Sequence, residues 1–261
     1  MIAGLVVGLV AEHAPEAEPT NVIEWFQRRT LRTESGPIPQ QAWLTLWHSL
    51  LAVGIAVAIA VPLALLLAHF GKAEAVSAAI VNIGRVIPTT AVLGIAVVVS
   101  LRNHLGYEPW PIVVSLVLLG LPPIFSNTYT AVRGVDPDAV GAARAMGFTE
   151  AQLMRRVELP LGLPVILAGI RVALVQLVAT EALGSFFGGE GLGAYVRQGL
   201  ANQSIYQIQA GALLVAGLAT ACDFTLFVAT RPFAHRGRPR RVRRAGRAAS
   251  IDVQPTTGAT A

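Results

Sequence analysis

The sequence predicts an all-α fold, a polytopic membrane helix bundle of about five transmembrane spans with a compact helical unit in one of its connections. Three observations lead there. Only 13% of the 261 residues are charged and 54% are hydrophobic, whereas an ordinary soluble domain carries about 25% charge. The apolar residues gather into uncharged runs long enough to cross a bilayer. The basic residues favour alternate connections and one tail, as expected of a chain threaded through a membrane. A mean hydropathy of +0.59 argues against both a soluble globule and a disordered chain.

Met1 to Val10 is apolar but too short to span and has no basic leader, so it reads as a frayed or interfacial end. Residues 1–42 form a lead-in expected outside the hydrocarbon, because Glu12, Glu16, Glu18, Glu24, Glu34, Arg28, Arg29 and Arg32 are mixed there with prolines. The transmembrane region follows over 43–230. Its first span runs from about Trp43 to Phe70 without a formal charge, with Trp43 and Trp47 suited to an interfacial belt and Pro62 expected to kink it. The second covers about Ala75 to Leu101 and contains Arg85 and Pro88; the third, about Trp110 to Val132, contains Pro122-Pro123. Both are expected to be broken helices, which a membrane tolerates only where protein or water satisfies the freed backbone groups. The fourth runs from about Leu161 to Leu183 and the fifth from about Ile208 to Thr230.

One side of this arrangement collects thirteen basic residues: Lys72, Arg133, Arg144, Arg155, Arg156 and eight arginines from Arg231 to Arg247. The other has five, Arg28, Arg29, Arg32, Arg102 and Arg197. The bias places the N-terminus outside and the C-terminus in the cytoplasm of a multi-pass cell-membrane protein. Segment 133–160 is then cytoplasmic, and 231–261 is a basic, disordered cytoplasmic tail. Beside a membrane, such an arginine run fixes orientation and contacts anionic lipid; no nucleic-acid partner is expected.

Within that segment, Asp136 suits a helix N-cap, Pro137 the first helical position and Gly147 the C-terminal turn. Thr149 with Gln152 three residues on forms a possible capping box for a second helix, which Leu159-Pro160 is expected to end. The result is a helix, a glycine turn and a helix. Ala142, Ala143 and Ala145 give the first arm a surface on which another protein can approach closely. A solvated connecting loop is the plainer reading, but it does not require two capped helices.

Ala142-Ala143, three residues, Gly147, nine residues, Val157, one residue, Leu159-Pro160 resembles the cytoplasmic coupling loop of permeases from binding-protein-dependent ATP-binding-cassette importers. That motif has Glu where Gly141 stands and Ile where Val157 stands. Asn127-Thr128-Tyr129-Thr130, Ala168-Gly169-Ile170-Arg171, Ser185 to Gly193, Asn82 and Pro88 are similar to the osmoprotectant branch, whose members import glycine betaine, carnitine, choline or proline. Arg85 departs from the neutral amide of that branch. The resemblance implies a permease subunit with a second permease subunit, identical or paralogous, a dimer of cytosolic ATP-binding subunits, and an extracytoplasmic substrate-binding protein. It implies that Gly141, Ala142, Ala143, Gly147, Val157, Leu159 and Pro160 form the site coupled to the ATPase.

The chain itself is not expected to be an enzyme or to hold a cofactor. Its Gly71-Lys72 pair lacks the rest of a phosphate-binding loop, and Gly189 to Gly193 follows a span rather than a strand. The five histidines are scattered and Cys222 is the one cysteine, so neither a metal site nor an intrachain disulfide is expected. Arg85, Arg171, Glu181 and Asp223 lie inside spans, where a charge is costly, and are candidates for the pathway or for intramembrane pairing. They keep open an ion-coupled secondary transporter or channel, as the basic tail keeps open a membrane anchor without a pathway.

Overall fold

The computed structural model of the chain describes residues 19–27, 36–71 and 88–234. Helix α1 is Val22–Gln27, α2 Ile38–Phe70, α3 Thr89–Arg102, α4 Trp110–Arg133, α5 Pro137–Ala145 and α6 Glu150–Leu153. A π turn, Met154–Glu158, leads into α7, Leu159–Glu181; a 3₁₀ turn, Ala182–Phe187, then precedes α8, Gly193–Ala201, and α9, Ile205–Ala234.

Four helical runs among the described residues are long and apolar enough to cross a membrane: Ile38–Phe70, Trp110–Arg133, Glu150–Phe187 and Ile205–Pro232. Of the expected second span, about Ala75 to Leu101, the described part is α3, with 14 residues. Pro88 stands at its N-cap; the remainder of that span, with Asn82 and Arg85, lies outside the described residues. Lys72, the first ten residues and the arginines from Arg236 to Arg247 also lie outside them.

Prolines inside spans do not break the helices. Helix α2 begins at Ile38, five residues before Trp43, and runs unbroken through Pro62. Helix α4 likewise continues through Pro122 and Pro123. Two N–H groups are lost there, which frees the carbonyls of Leu118 and Leu119 four residues earlier. The polar side chains of this helix bond back to its backbone, Ser115 Oγ to Pro111 O, Asn127 Nδ2 to Pro123 O and Thr128 Oγ1 to Ile124 O, each at 2.8 Å, and so are themselves satisfied where water is absent.

The core forms where α2, α4 and α7 cross. Ala52, Ala56, Ala60, Ala64 and Ala68 recur every fourth residue on α2 and are all buried. In lipid, small side chains of this kind let helices approach closely enough for dispersion forces to hold them. At the crossing, a Cβ on Gly120 of α4 would lie 3.3 Å from Leu177 of α7 and 3.6 Å from Ala56 of α2. Gly169 of α7 sits closer still, since its Cβ would fall 2.4 Å from that of Asn127.

A second cluster covers one end of the bundle and includes a buried residue of the expected lead-in. Trp25 of α1 is fully buried with Leu192, Tyr195 and Ala210. Its ring meets Tyr195 edge to face at 5.5 Å, and Tyr195 Oη donates to Gly36 O at 2.6 Å. The glycine-rich segment between α7 and α9 is pinned to α2 at this end. Gly191 N donates to Gln41 Oε1 at 2.6 Å and Leu192 N to Thr45 Oγ1 at 2.9 Å.

Candidate functional site

At the opposite end of α2, residues 136–160 form an elbow whose first arm is fully capped. Asp136 Oδ1 accepts from Asp138 N at 2.9 Å, and Pro137 occupies the first turn. At the other end, Gly147 N donates to Arg144 O at 2.9 Å and Phe148 N to Ala143 O at 3.2 Å, the two reversed bonds of a Schellman motif. This motif needs a left-handed residue, and Gly147 supplies it with φ +83.

The second arm starts with a reciprocal capping box. Thr149 N donates to Gln152 Oε1 at 3.0 Å and Gln152 N to Thr149 Oγ1 at 3.3 Å. It does not end at Leu159-Pro160, correcting the sequence expectation. Leu159 N reaches back five residues to Met154 O, and the widened turn passes directly into α7. In a regular helix the ring of Pro160 would collide with the carbonyl four residues earlier; the π turn relieves that crowding. The elbow is therefore continuous with a membrane-spanning helix.

Ala143 and Leu153 are the buried apolar side chains of the two arms, and Glu158 is buried beside them in the π turn, whereas Gly141, Ala142, Ala145, Met146 and Gly147 are exposed. Val157 and Leu159 are half-buried and Pro160 is exposed. Nothing lies within 4 Å of a Cβ placed on Gly141 or Gly147, so both glycines face open space.

Charged groups absent from the motif brace the elbow. Arg144 grips Glu150 with two hydrogen bonds of 3.0 Å, and the bonded carboxylate raises the Arg144 pKa above its ordinary value. His69, in the last turn of α2, places Nδ1 2.8 Å from Glu158 Oε2 and Nε2 2.9 Å from Glu150 Oε2. Sequence reasoning missed this cluster; a basic residue in the last turn of a helix was the available signal.

The intramembrane candidates fall into two pairs. Arg171 of α7 donates through Nε and Nη2 to the two oxygens of Asp223 on α9, both at 2.5 Å. The guanidinium also lies 5.0 Å from the centre of the Phe227 ring, whose other neighbour is Arg231 at 4.8 Å. Glu181, at the end of α7, meets His48 Nδ1 at 3.0 Å in full burial, while its second oxygen has no partner among the described residues. Among the described residues, no cluster of three or more His, Cys, Asp or Glu side chains could hold a metal ion.

Residues 60–237 match the family of binding-protein-dependent transport system inner membrane components. The chain belongs to this family. It is similar to the choline transport system permease protein OpuBB of Bacillus subtilis, with 36% identity over 80% of this chain and 94% of that protein. It is also similar to the carnitine transport permease protein OpuCB of Listeria monocytogenes, with 34% identity over 71% of this chain and 83% of the relative. The osmoprotectant import permease protein OsmW of Salmonella typhimurium is 36% identical over 69% of this chain and 84% of its own.

The fold is that of the permease in the MetNI methionine ABC transporter, with a TM-score of 0.66 over 75% of this chain and 95% of that one, at 24% identity. An amino acid ABC transporter chain aligns with a TM-score of 0.58, 21% identity, and coverage of 76% and 93%. The protein is thus a multi-pass membrane permease component of an ATP-binding-cassette importer. ATP hydrolysis resides in a separate subunit, so this chain is not itself an enzyme. Membership of the family implies an ATP-binding subunit and a substrate-binding protein as partners.

Proposed function

We propose that this permease imports small osmoprotectants of the glycine betaine, choline, carnitine or proline class, driven by ATP-binding subunits docked on the elbow at 136–160. The N-terminus lies outside and the C-terminus in the cytoplasm, with the arginine-rich tail against anionic lipid. Two ATP-binding subunits meet two permease subunits, identical or paralogous, and an extracytoplasmic binding protein delivers the substrate. The printed functions of the relatives support the substrate class.

One observation carries the coupling role: the helical run is unbroken from Glu150 to Glu181. A displacement applied to the exposed surface of Gly141, Ala142, Ala145 and Met146 crosses the Gly147 turn, which the Schellman bonds and the Arg144–Glu150 pair brace, and then passes through the π turn into α7. The caps at Asp136, Gly147 and Thr149 keep the arms from fraying, so the elbow turns as a lever. Of the intramembrane charges that kept an ion-coupled transporter open, Arg171 is paired with Asp223 and Glu181 with His48, while Arg85 lies outside the described residues.

The test is uptake of labelled choline and glycine betaine into proteoliposomes holding the permease, its ATP-binding subunit and its binding protein. Accumulation that requires ATP and survives collapse of proton and sodium gradients is the expected result. Uptake driven by an ion gradient without ATP would overturn the reading.

A further inference from the structure

The motif accounts for the exposed face of the elbow but not for the charged chain beneath it, Arg144, Glu150, His69 and Glu158. His69 stands one residue before the last of α2, yet its side chain is only 3% exposed, and that of Glu158 7%. The two acids that flank the ring are eight residues apart, hence about 80° apart around a regular helix. The intervening π turn advances less per residue and rotates them back towards one side. The same widening that accommodates Pro160 therefore builds the socket for His69.

Both ring nitrogens face carboxylate oxygens, at 2.8 and 2.9 Å. A neutral imidazole has one N–H and would turn a lone pair towards one of the acids, whereas an imidazolium donates to both. With Arg144 on the far side of Glu150, two cations and two anions then alternate, and neither mostly buried partner is left uncompensated. Helix α2 is thereby fastened at two points to the second arm of the elbow and, through the Arg144–Glu150 pair, to the first. Its other end is fastened to the glycine turn through Gln41 and Thr45, and to the end of α7 through the His48–Glu181 pair.

We infer that His69 is a positioning residue that locks α2 to the elbow, so that movement imposed by the ATP-binding subunit reaches the glycine turn at 188–193 through α2 as well as through α7. The inference rests on the reading of 136–160 as the docking element. A side chain that donates to both acids is what the socket accommodates at position 69, and the helix of 33 residues, about 50 Å long, is the connecting rod.

The experiment places a reporter at the exposed Glu190, as Glu190→Cys in a Cys222→Ser background, in nanodiscs with the ATP-binding subunit bound. Maleimide labelling is timed with and without ATP and vanadate. The labelling rate is expected to change with ATP in this parent and to lose a measurable part of that change in His69→Gln, with the subunit still bound, because α7 remains as the second route. His69→Lys restores the response because an ammonium also donates to both acids. Glu150→Gln is the second variant: its position is 53% exposed, so no buried charge is orphaned, and it too is expected to reduce the response. A full response in His69→Gln, a His69→Lys variant no better than His69→Gln, or no response to ATP in the parent with the subunit bound would overturn this inference alone. Failure of the parent to retain the subunit at all would overturn the docking reading and the inference with it.

Discussion

Replacing Gly147 separates what this glycine does for its own chain from what it does for a partner. Its φ of +83 is left-handed, and open space surrounds the position of a Cβ. Any L side chain therefore meets the backbone penalty of about 1–2 kcal/mol, and its Cβ meets no internal clash. A cost of that size opens the Schellman turn about 5- to 30-fold more often, and the amides of Gly147 and Phe148 report it directly by hydrogen exchange. Gly147→Ala and Gly147→Trp are expected to accelerate that exchange equally in the isolated permease. With the ATP-binding subunit present they diverge: the alanine variant retains the subunit, reduced by no more than the opening factor, whereas the indole projects into the docking face and abolishes co-purification. Equal binding by the two variants would show that the surface beside Gly147 is not a docking face. Faster exchange in Gly147→Trp than in Gly147→Ala within the isolated permease would refute the claim of open space.

Other positions give independent checks. Thr149→Ala removes one half of the capping box and is expected to cost about 1 kcal/mol, read as faster exchange at the start of the second arm with the spans unaffected. Gly193→Ala is expected to destabilise the whole bundle in thermal melts in detergent, because its Cβ would fall 2.1 Å from the backbone oxygen of Ala182 and backbone cannot rotate away as a side chain can. Asp223→Asn strips Arg171 of its counter-charge and lowers the melting temperature, while the apolar double variant Arg171→Met with Asp223→Leu recovers most of the loss; a double variant as unstable as the single one would argue against simple pairing.

The parts of the fold governed by local spacing were legible in the sequence. Asp136, Pro137, Gly147, Thr149 and Gln152 act within a few residues of themselves, and their caps follow from their chemistry. The long apolar runs likewise fixed the third, fourth and fifth spans to within a few residues at most of their boundaries. Prolines misled, because each removes one N–H but ends a helix only where packing or a wider turn does not carry the helix on. Pro122 is buried within α4, and before Pro160 the N–H of Leu159 bonds five residues back.

Pairings between distant helices were hidden for a different reason. His48 and Glu181 lie 133 residues apart, His69 and Glu158 89, Arg171 and Asp223 52. Whether two such groups meet depends on how each helix is rotated, and a single π turn alters that rotation for everything beyond it. Trp25 was obscured by its polar neighbours Glu24 and Gln27, although it anchors a second apolar cluster against Tyr195.

The central claim, that the elbow receives the force of ATP hydrolysis on its small-residue face, is tested most directly by a cross-link from the exposed Ala142. In a Cys222→Ser background, Ala142→Cys carrying a short photoactivatable group is expected to capture the ATP-binding subunit in intact membranes, with a yield that changes when ATP and vanadate trap the closed state. Capture of lipid alone, or labelling of Ala142→Cys from the extracytoplasmic side, would contradict it.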